Sequence, residues 1–286
     1  MSKPTRPQYK ATNWPAYNRA LRKRGSLTVW FDKDMRWLAP LTGKNGRNPT
    51  FSDAAIQFCL TIKGVFGLPL RQTIGMVESL IQLSGLDWPV PDFSTLSRRQ
   101  KTIEVSIPYR PQTGALHLLI DSTGIKFRGE GEWKRKKHGA EYRRQWRKVH
   151  LGIDAETLEI RAIEVTDNSA GDAPMLPELL RQIPQTEVIA TVSIRKNGKA
   201  WKEKTAGDKA RNEILAATRY LGRPLWKTWS GYHRRSLVET KMRCFKLLGE
   251  RVMARDPHRQ VVELQVRAAI LNNYTRLGVP HTLRVS

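Results

Sequence analysis

The chain has 286 residues, with 50 Lys and Arg against 26 Asp and Glu, so its formal net charge is +24 at pH 7. A charge of that size points to a polyanionic partner, DNA, RNA or an anionic membrane, and says nothing of fold. No apolar run approaches the roughly 20 residues that span a bilayer, and no apolar stretch follows the first charges as a signal peptide requires, so a membrane is set aside in favour of nucleic acid.

A 40% hydrophobic content with nine Trp argues for a folded chain, long enough for one large domain or two small ones. Cys59 and Cys244 fall inside apolar helical patterns, offer no metal-ligand spacing and suit a reducing compartment.

Residues 1–25 form a basic arm rich in turn formers, with a short helix expected from Trp14 to Lys23 and a short strand from Ser26 to Phe31. Thr50 to Ser84 reads as two helices broken at Gly67-Leu68-Pro69, the first capped by Thr50 or Ser52. A third opens at Asp92-Phe93-Ser94 and carries Arg98 and Arg99. Three short helices ending in polar and cationic side chains resemble a helix-turn-helix unit whose last helix meets the major groove; a helical cap on the next domain has the same pattern. The two prolines of Ile107–Thr113 mark a linker.

The aliphatic run Leu116–Ile120 reads as a buried strand ending on Asp121. A carboxylate there suits Mg²⁺, which takes few protein oxygens, or simply caps a turn. Lys126 to Lys148 holds ten Lys and Arg against three Glu, including Lys134, Arg135, Lys136, Lys137, Arg143 and Arg144, with Trp133, Tyr142 and Trp146 interleaved. Cations alternating with aromatic rings suit a nucleic-acid strand. Val149–Asp154 and Leu158–Val165 read as a hairpin, Met175–Gln182 as a helix and Val188–Ile194 as a further strand, running straight into the basic block Arg195–Lys202. Helices follow at Asp208–Tyr220, 232–248 and Arg259–Leu277, the last stopped by Gly278 and Pro280.

The 232–248 helix is the most informative stretch. At 100° per residue Tyr232, Arg235, Glu239, Arg243 and Lys246 share one face, opposite Val238, Phe245 and Leu248. One carboxylate within a ring of cations suits a metal ion beside a phosphate backbone. A solvated helix with Arg235–Glu239 and Glu239–Arg243 ion pairs would carry the same pattern.

Read as Y-x2-R-x3-E-x6-K, Tyr232, Arg235, Glu239 and Lys246 resemble the motif around the catalytic glutamate of bacterial insertion-sequence transposases with a DDE acid triad. The resemblance extends to Asp92–Arg99, Ile120–Gly124, Gly129–Trp133, Thr166–Asn168 and Gly171-Asp172. It implies a mixed α/β, ribonuclease H-like core at 116–286 with C-terminal helices, and a basic, helical, helix-turn-helix-like DNA-binding region at 1–106. It further implies Asp121 and Glu239 as catalytic and Mg²⁺-binding acids. Tyr232, Arg235, Arg243 and Lys246 would contact DNA, with Arg98, Arg99 and the cations of 134–144 beside them. Strands would be cut and joined by two-metal phosphoryl transfer. The partners implied are transposon ends and target DNA, in a bacterial cytoplasm at the nucleoid. Such enzymes often act as dimers or larger assemblies, and the sequence leaves the oligomeric state open.

The chain departs from that pattern in one place. The family's second aspartate follows the fourth strand, with a helix and a fifth strand after it. Here no acid lies between Glu187 and Glu203. The second acid, one helix and one strand are expected to be missing, leaving an impaired enzyme unless Asp154, Asp167 or Asp172 substitutes. The alternatives are a non-enzymatic DNA-binding regulator derived from a transposase and, more distantly, an RNA-processing nuclease.

Overall fold

The computed structural model describes residues 8–27, 30–32, 34–41, 43, 46, 48–111, 114–127, 146–184, 188–191, 194 and 197–285. Gln8–Ala11 (β1) pairs antiparallel with Thr282–Val285 (β7), so the two ends of the described chain close on each other. Trp14–Arg24 (α1) follows, helped by a proline in its first turn. Ser26–Phe31, expected as a strand, shows no strand among its described residues. Trp30 and Phe31 instead pack edge-on against Tyr274 and Phe58.

Asp53–Phe66 (α2) starts where the Ser52 hydroxyl accepts the Ala55 amide at 3.1 Å, and it stops at Gly67, which takes a left-handed conformation. Leu70–Leu83 (α3) and Phe93–Arg99 (α4) complete the helical unit, with Asp92 capping α4. The apolar side of α2, with Ile56, Cys59 and Ile62 fully buried, packs with Val262, Val266 and Ile270. Those three belong to the long C-terminal helix, Pro257–Leu277 (α9). Burial pushes the Cys59 thiol up to about 12, so it acts as an apolar core residue.

The sheet is built on Leu116–Phe127 (β2). Trp146–Asp154 (β3) and Ile160–Thr166 (β4) meander antiparallel on one side of it. After helix Leu176–Arg181 (α5), Val188–Thr191 (β5) returns parallel on the other side, giving the order β4-β3-β2-β5. This is the mixed α/β, ribonuclease H-like arrangement expected from the sequence. Helices Ala206–Leu221 (α6), Arg223–Trp229 (α7) and Ser236–Leu247 (α8) lead to a two-residue strand, Arg251–Val252 (β6), beside the end of β2.

Strand alternation in β2 divides the core. Leu116, Leu118 and Ile120 pack with Leu176 and Leu179 of α5. Leu119 and Ile125 pack with Val238 and Phe245 of α8 and with Leu264, Ala268 and Leu271 of α9. Among the described residues β5 ends the sheet, and Ile189 on it is 58% exposed.

α6 is held against α5 at one tight point. A Cβ on Gly207 would lie 2.3 Å from the Pro177 Cα and 2.8 Å from its nitrogen, both backbone atoms that cannot swing aside. Gly207→Ala should therefore destabilise the fold by about 1–3 kcal/mol, as overpacking does. A urea midpoint unchanged from the wild type would show that α5 and α6 do not pack this closely.

Candidate active site

Alternation places the Asp121 side chain on the α8 face of the sheet and Ser122 on the α5 face. Asp121 is 8% exposed. Its Oδ1 accepts the Ser122 amide at 2.9 Å and a short charged hydrogen bond from the Arg235 guanidinium. That guanidinium is fixed from behind, since its other nitrogen donates to the Tyr232 hydroxyl at 2.6 Å. The Tyr232 ring tilts against Trp226 at 5.5 Å, and the Lys227 ammonium lies 5.2 Å from its centre. Burial pulls the Arg235 guanidinium down, while Asp121 and Tyr232 outweigh it and raise it.

The single helix expected over 232–248 is two elements. Gly231 is left-handed at φ +63°, Tyr232–Arg235 is a 3-10 turn, and regular α-helix begins at Ser236. The cause is local. Thr191 Oγ1, at the end of β5, donates to the Ser230 carbonyl at 3.3 Å and meets His117 Nε2 at 3.0 Å. A side chain at position 231 would press on that imidazole, at 3.2 Å. The tighter turn carries Arg235 across to Asp121 in place of the i,i+4 pairing with Glu239. Glu239 and Arg243 are exposed on α8 and Lys246 is half-buried. Among the described residues Glu239 makes no hydrogen bond or ion pair.

Each acid weighed as a replacement for the second aspartate has its own commitment. Asp154 is fully buried in an ion pair with Arg161 at 3.0 Å. Asp167 caps the next turn, accepting the Ser169 amide at 2.8 Å. Asp172 accepts the Ser122 hydroxyl, with His150 Nδ1 at 3.2 Å and the Lys148 ammonium at 3.4 Å. Burial pushes the Asp172 carboxyl up, but His150, Ser122 and Lys148 outweigh it and hold it well below the usual carboxylate range. Because it hangs on Ser122, it belongs to the face of the sheet opposite Asp121. Among the described residues no three His, Cys, Asp or Glu side chains are placed to share a metal ion. With Asp121 already paired to Arg235, the donor set among the described residues does not fit a two-metal centre.

Beside these acids opens a cleft of about 510 Å³, lined by Lys148, Asp172, Asn197, Trp201, Arg211 and Arg235. Arg211, 4% exposed, stacks on the Trp201 ring at 3.9 Å and donates to the Lys199 carbonyl at 3.0 Å. Its Nε and that of Arg235 have no partner among the described residues. Three buried or half-buried cations facing one cleft favour an anion such as a phosphodiester. The sequence flags Lys148 and the block around Trp201 as basic, but Arg211 sits in an ordinary amphipathic helix and gives no signal.

The remaining cationic candidates separate. Arg98 is exposed on α4 and bonded to Thr95 at 3.5 Å, whereas Arg99 turns inward to the Phe51 carbonyl at 3.0 Å and to Asp53. Lys134, Arg135, Lys136, Lys137, Arg143 and Arg144 lie outside the described residues.

Two family models match the chain, each described as a transposase DDE domain, over residues 22–130 and 112–273. The second covers more than half of the chain, and the two meet across β2, the strand that bears Asp121. No solved structure matches.

Proposed function

This chain belongs to the DDE transposase family and is a DNA transposase, and we propose that it grips DNA ends while cutting them poorly or not at all. The family's use of a divalent metal is the point at which this copy differs. The single observation that carries the reading is the Arg235 guanidinium on Asp121, where a metal site needs a second carboxylate. Among the described residues β5 pairs with β2 as far as Leu119, two residues short of Asp121, and the chain from Thr191 to Lys202 holds no acid.

In this reading Asp121 and Glu239 are what remains of the acid triad. Arg235, Tyr232, Lys246 and Arg243 hold phosphates along the α8 face, and the cleft beside Arg211 takes the adjoining strand. Residues 1–106 supply further DNA contacts to the core at 116–286. In relatives with a complete triad, Mg²⁺ would supply charge stabilisation at the attacking and leaving oxygens.

The test is incubation of supercoiled plasmid bearing a transposon end with the protein and Mg²⁺. The expected result is no nicked or linear product above that of Asp121→Ala. Robust cleavage abolished by Asp121→Ala would overturn the impaired reading. A regulator without chemistry is favoured by the same ion pair, and it predicts DNA affinity within about twofold of wild type when Asp121→Ala and Glu239→Ala are combined, since neither acid attracts a phosphate.

A further inference from the structure

The ends of the chain form a ribbon that no sequence pattern announces. Tyr9 is 63% exposed and Leu283 65%, and Lys10 and Val285 are exposed too. Tyr9 and Lys10 alternate along β1, as Leu283 and Val285 bracket one position on β7, so both faces of the ribbon are open. Among the described residues nothing covers either face, and a two-stranded ribbon by itself is marginal in water. Its base, in contrast, is firmly tied. His281 donates its amide to Asn13 Oδ1 at 2.8 Å, Asn13 Nδ2 donates to the Val279 carbonyl at 2.9 Å, and Thr12 donates to the His281 carbonyl at 2.8 Å. Arg24 locks α1 to the end of α9 through the Gly278 carbonyl at 2.7 Å.

Charge identifies the partner. Seven Lys and Arg precede the first acid of the chain, Asp32, and no acid follows Glu263. The two terminal segments therefore carry exposed Lys10, Arg19, Arg22, Lys23 and Arg276 and no Asp or Glu, together with exposed Tyr9 and Trp14. A two-stranded ribbon fits the major groove, about 12 Å wide, and cations on a flanking helix then meet the phosphates at its rim.

The geometry points to this terminal ribbon with α1 as a DNA-docking surface: the β1–β7 ribbon enters a groove of duplex DNA, and Arg19, Arg22 and Lys23 hold the backbone beside it. The inference rests on the reading of the chain as a DNA transposase and adds to it the surface that does the gripping. The surface sits at the C-terminal end of α9. The β2–β3 end of the sheet lies at the other end of that helix, where Arg147 bonds Gln260 at 2.9 Å. A 21-residue helix separates the two by roughly 30 Å, so a duplex of about nine base pairs could span them.

The test measures binding of the full chain to a 30-base-pair duplex of random sequence by fluorescence anisotropy across a salt series. Two variants are compared with wild type: Arg19→Ala with Arg22→Ala and Lys23→Ala, and Lys10→Glu with Leu283→Glu. Every substituted side chain is exposed, so thermal melting should be unchanged. The triple variant should bind about tenfold or more weakly, with the slope of log K against log salt reduced by about two to three, one for each phosphate no longer neutralised. The ribbon variant should bind more weakly as well. Wild-type binding with both variants indistinguishable from it would overturn this surface and leave the transposase reading intact. No wild-type binding to any duplex would overturn both. Loss of binding to vesicles of half anionic lipid with duplex binding unchanged would reassign the surface to membranes. Loss of self-association alone would reassign it to a second copy of the chain.

Discussion

Raising salt from 50 to 200 mM should weaken binding of this protein to duplex DNA by about three to five orders of magnitude, the decrease expected for six to ten neutralised phosphates. The expectation combines two surfaces. One is the α8 face and cleft, with Lys148, Arg211, Arg235, Arg243 and Lys246. The other is the terminal ribbon with α1. Arg211 and Arg235 are already positioned by stacking on Trp201 and bonding to Tyr232, so they lose little freedom on binding. The exposed cations of α1 contribute through released counterions and should supply about two to three units of the salt slope. A titration that follows bound fraction against salt at fixed DNA concentration decides the matter. A change of less than tenfold over that range would mean that phosphate contacts do not carry the complex, and would contradict the DNA-binding reading at its root.

What the sequence made legible follows from the range of the forces involved. Local signals placed α2, α3 and α4 well, because Ser52, Gly67 and Asp92 act on their own neighbours. β2 was legible from its aliphatic run as far as Ile120, but it continues to Phe127, so Asp121 stands within the strand and not at its end. The break between Tyr232–Arg235 and α8 was not legible, because its causes, the Thr191 hydroxyl against Ser230 and the His117 ring against Gly231, come from strands 39 and 114 residues away. The same distance hid the fate of Arg235. Its helical spacing suggests Glu239 as a partner, and only the fold brings Asp121 within reach. Arg99 looks like a groove-reading cation beside Arg98 until Asp53 and the Phe51 carbonyl appear next to it. The ribbon was invisible because each of its strands is four residues long and its partner lies at the far end of the chain.

Asp154→Ala should destabilise the protein by about 3–5 kcal/mol, because it leaves a buried charge without its counter-ion. Arg161, its partner, is as buried as Asp154 itself and also donates to the Arg110 carbonyl at 2.9 Å. The guanidinium stacks 4.4 Å from the Tyr109 ring centre, so it cannot reach water without dismantling that contact. Asp154 also accepts the Glu156 amide at 2.9 Å and the Thr157 hydroxyl at 2.7 Å, which shape the β3–β4 turn. Ala155 in that turn accepts from Arg234 at 2.8 Å, and Arg234 is the neighbour of the arginine that holds Asp121. The damage should therefore spread to the acidic site. Removing both charges, as Asp154→Ala with Arg161→Leu, should recover part of the loss, because the unpaired cation goes with it. Burial alone would raise the Asp154 carboxyl; the turn amide, Thr157 and Arg161 together lower it. A depressed folded-state value means that its stabilisation is complete above the unfolded carboxylate value of about 3.9 and fades as pH falls through the folded one. Wild-type stability should accordingly drop below about pH 4, and the double variant should lack that portion of the drop. Urea denaturation at pH 7 and pH 3 measures both effects. A single variant as stable as wild type, or a double variant less stable than the single, would show that this ion pair does not hold the turn beneath the site.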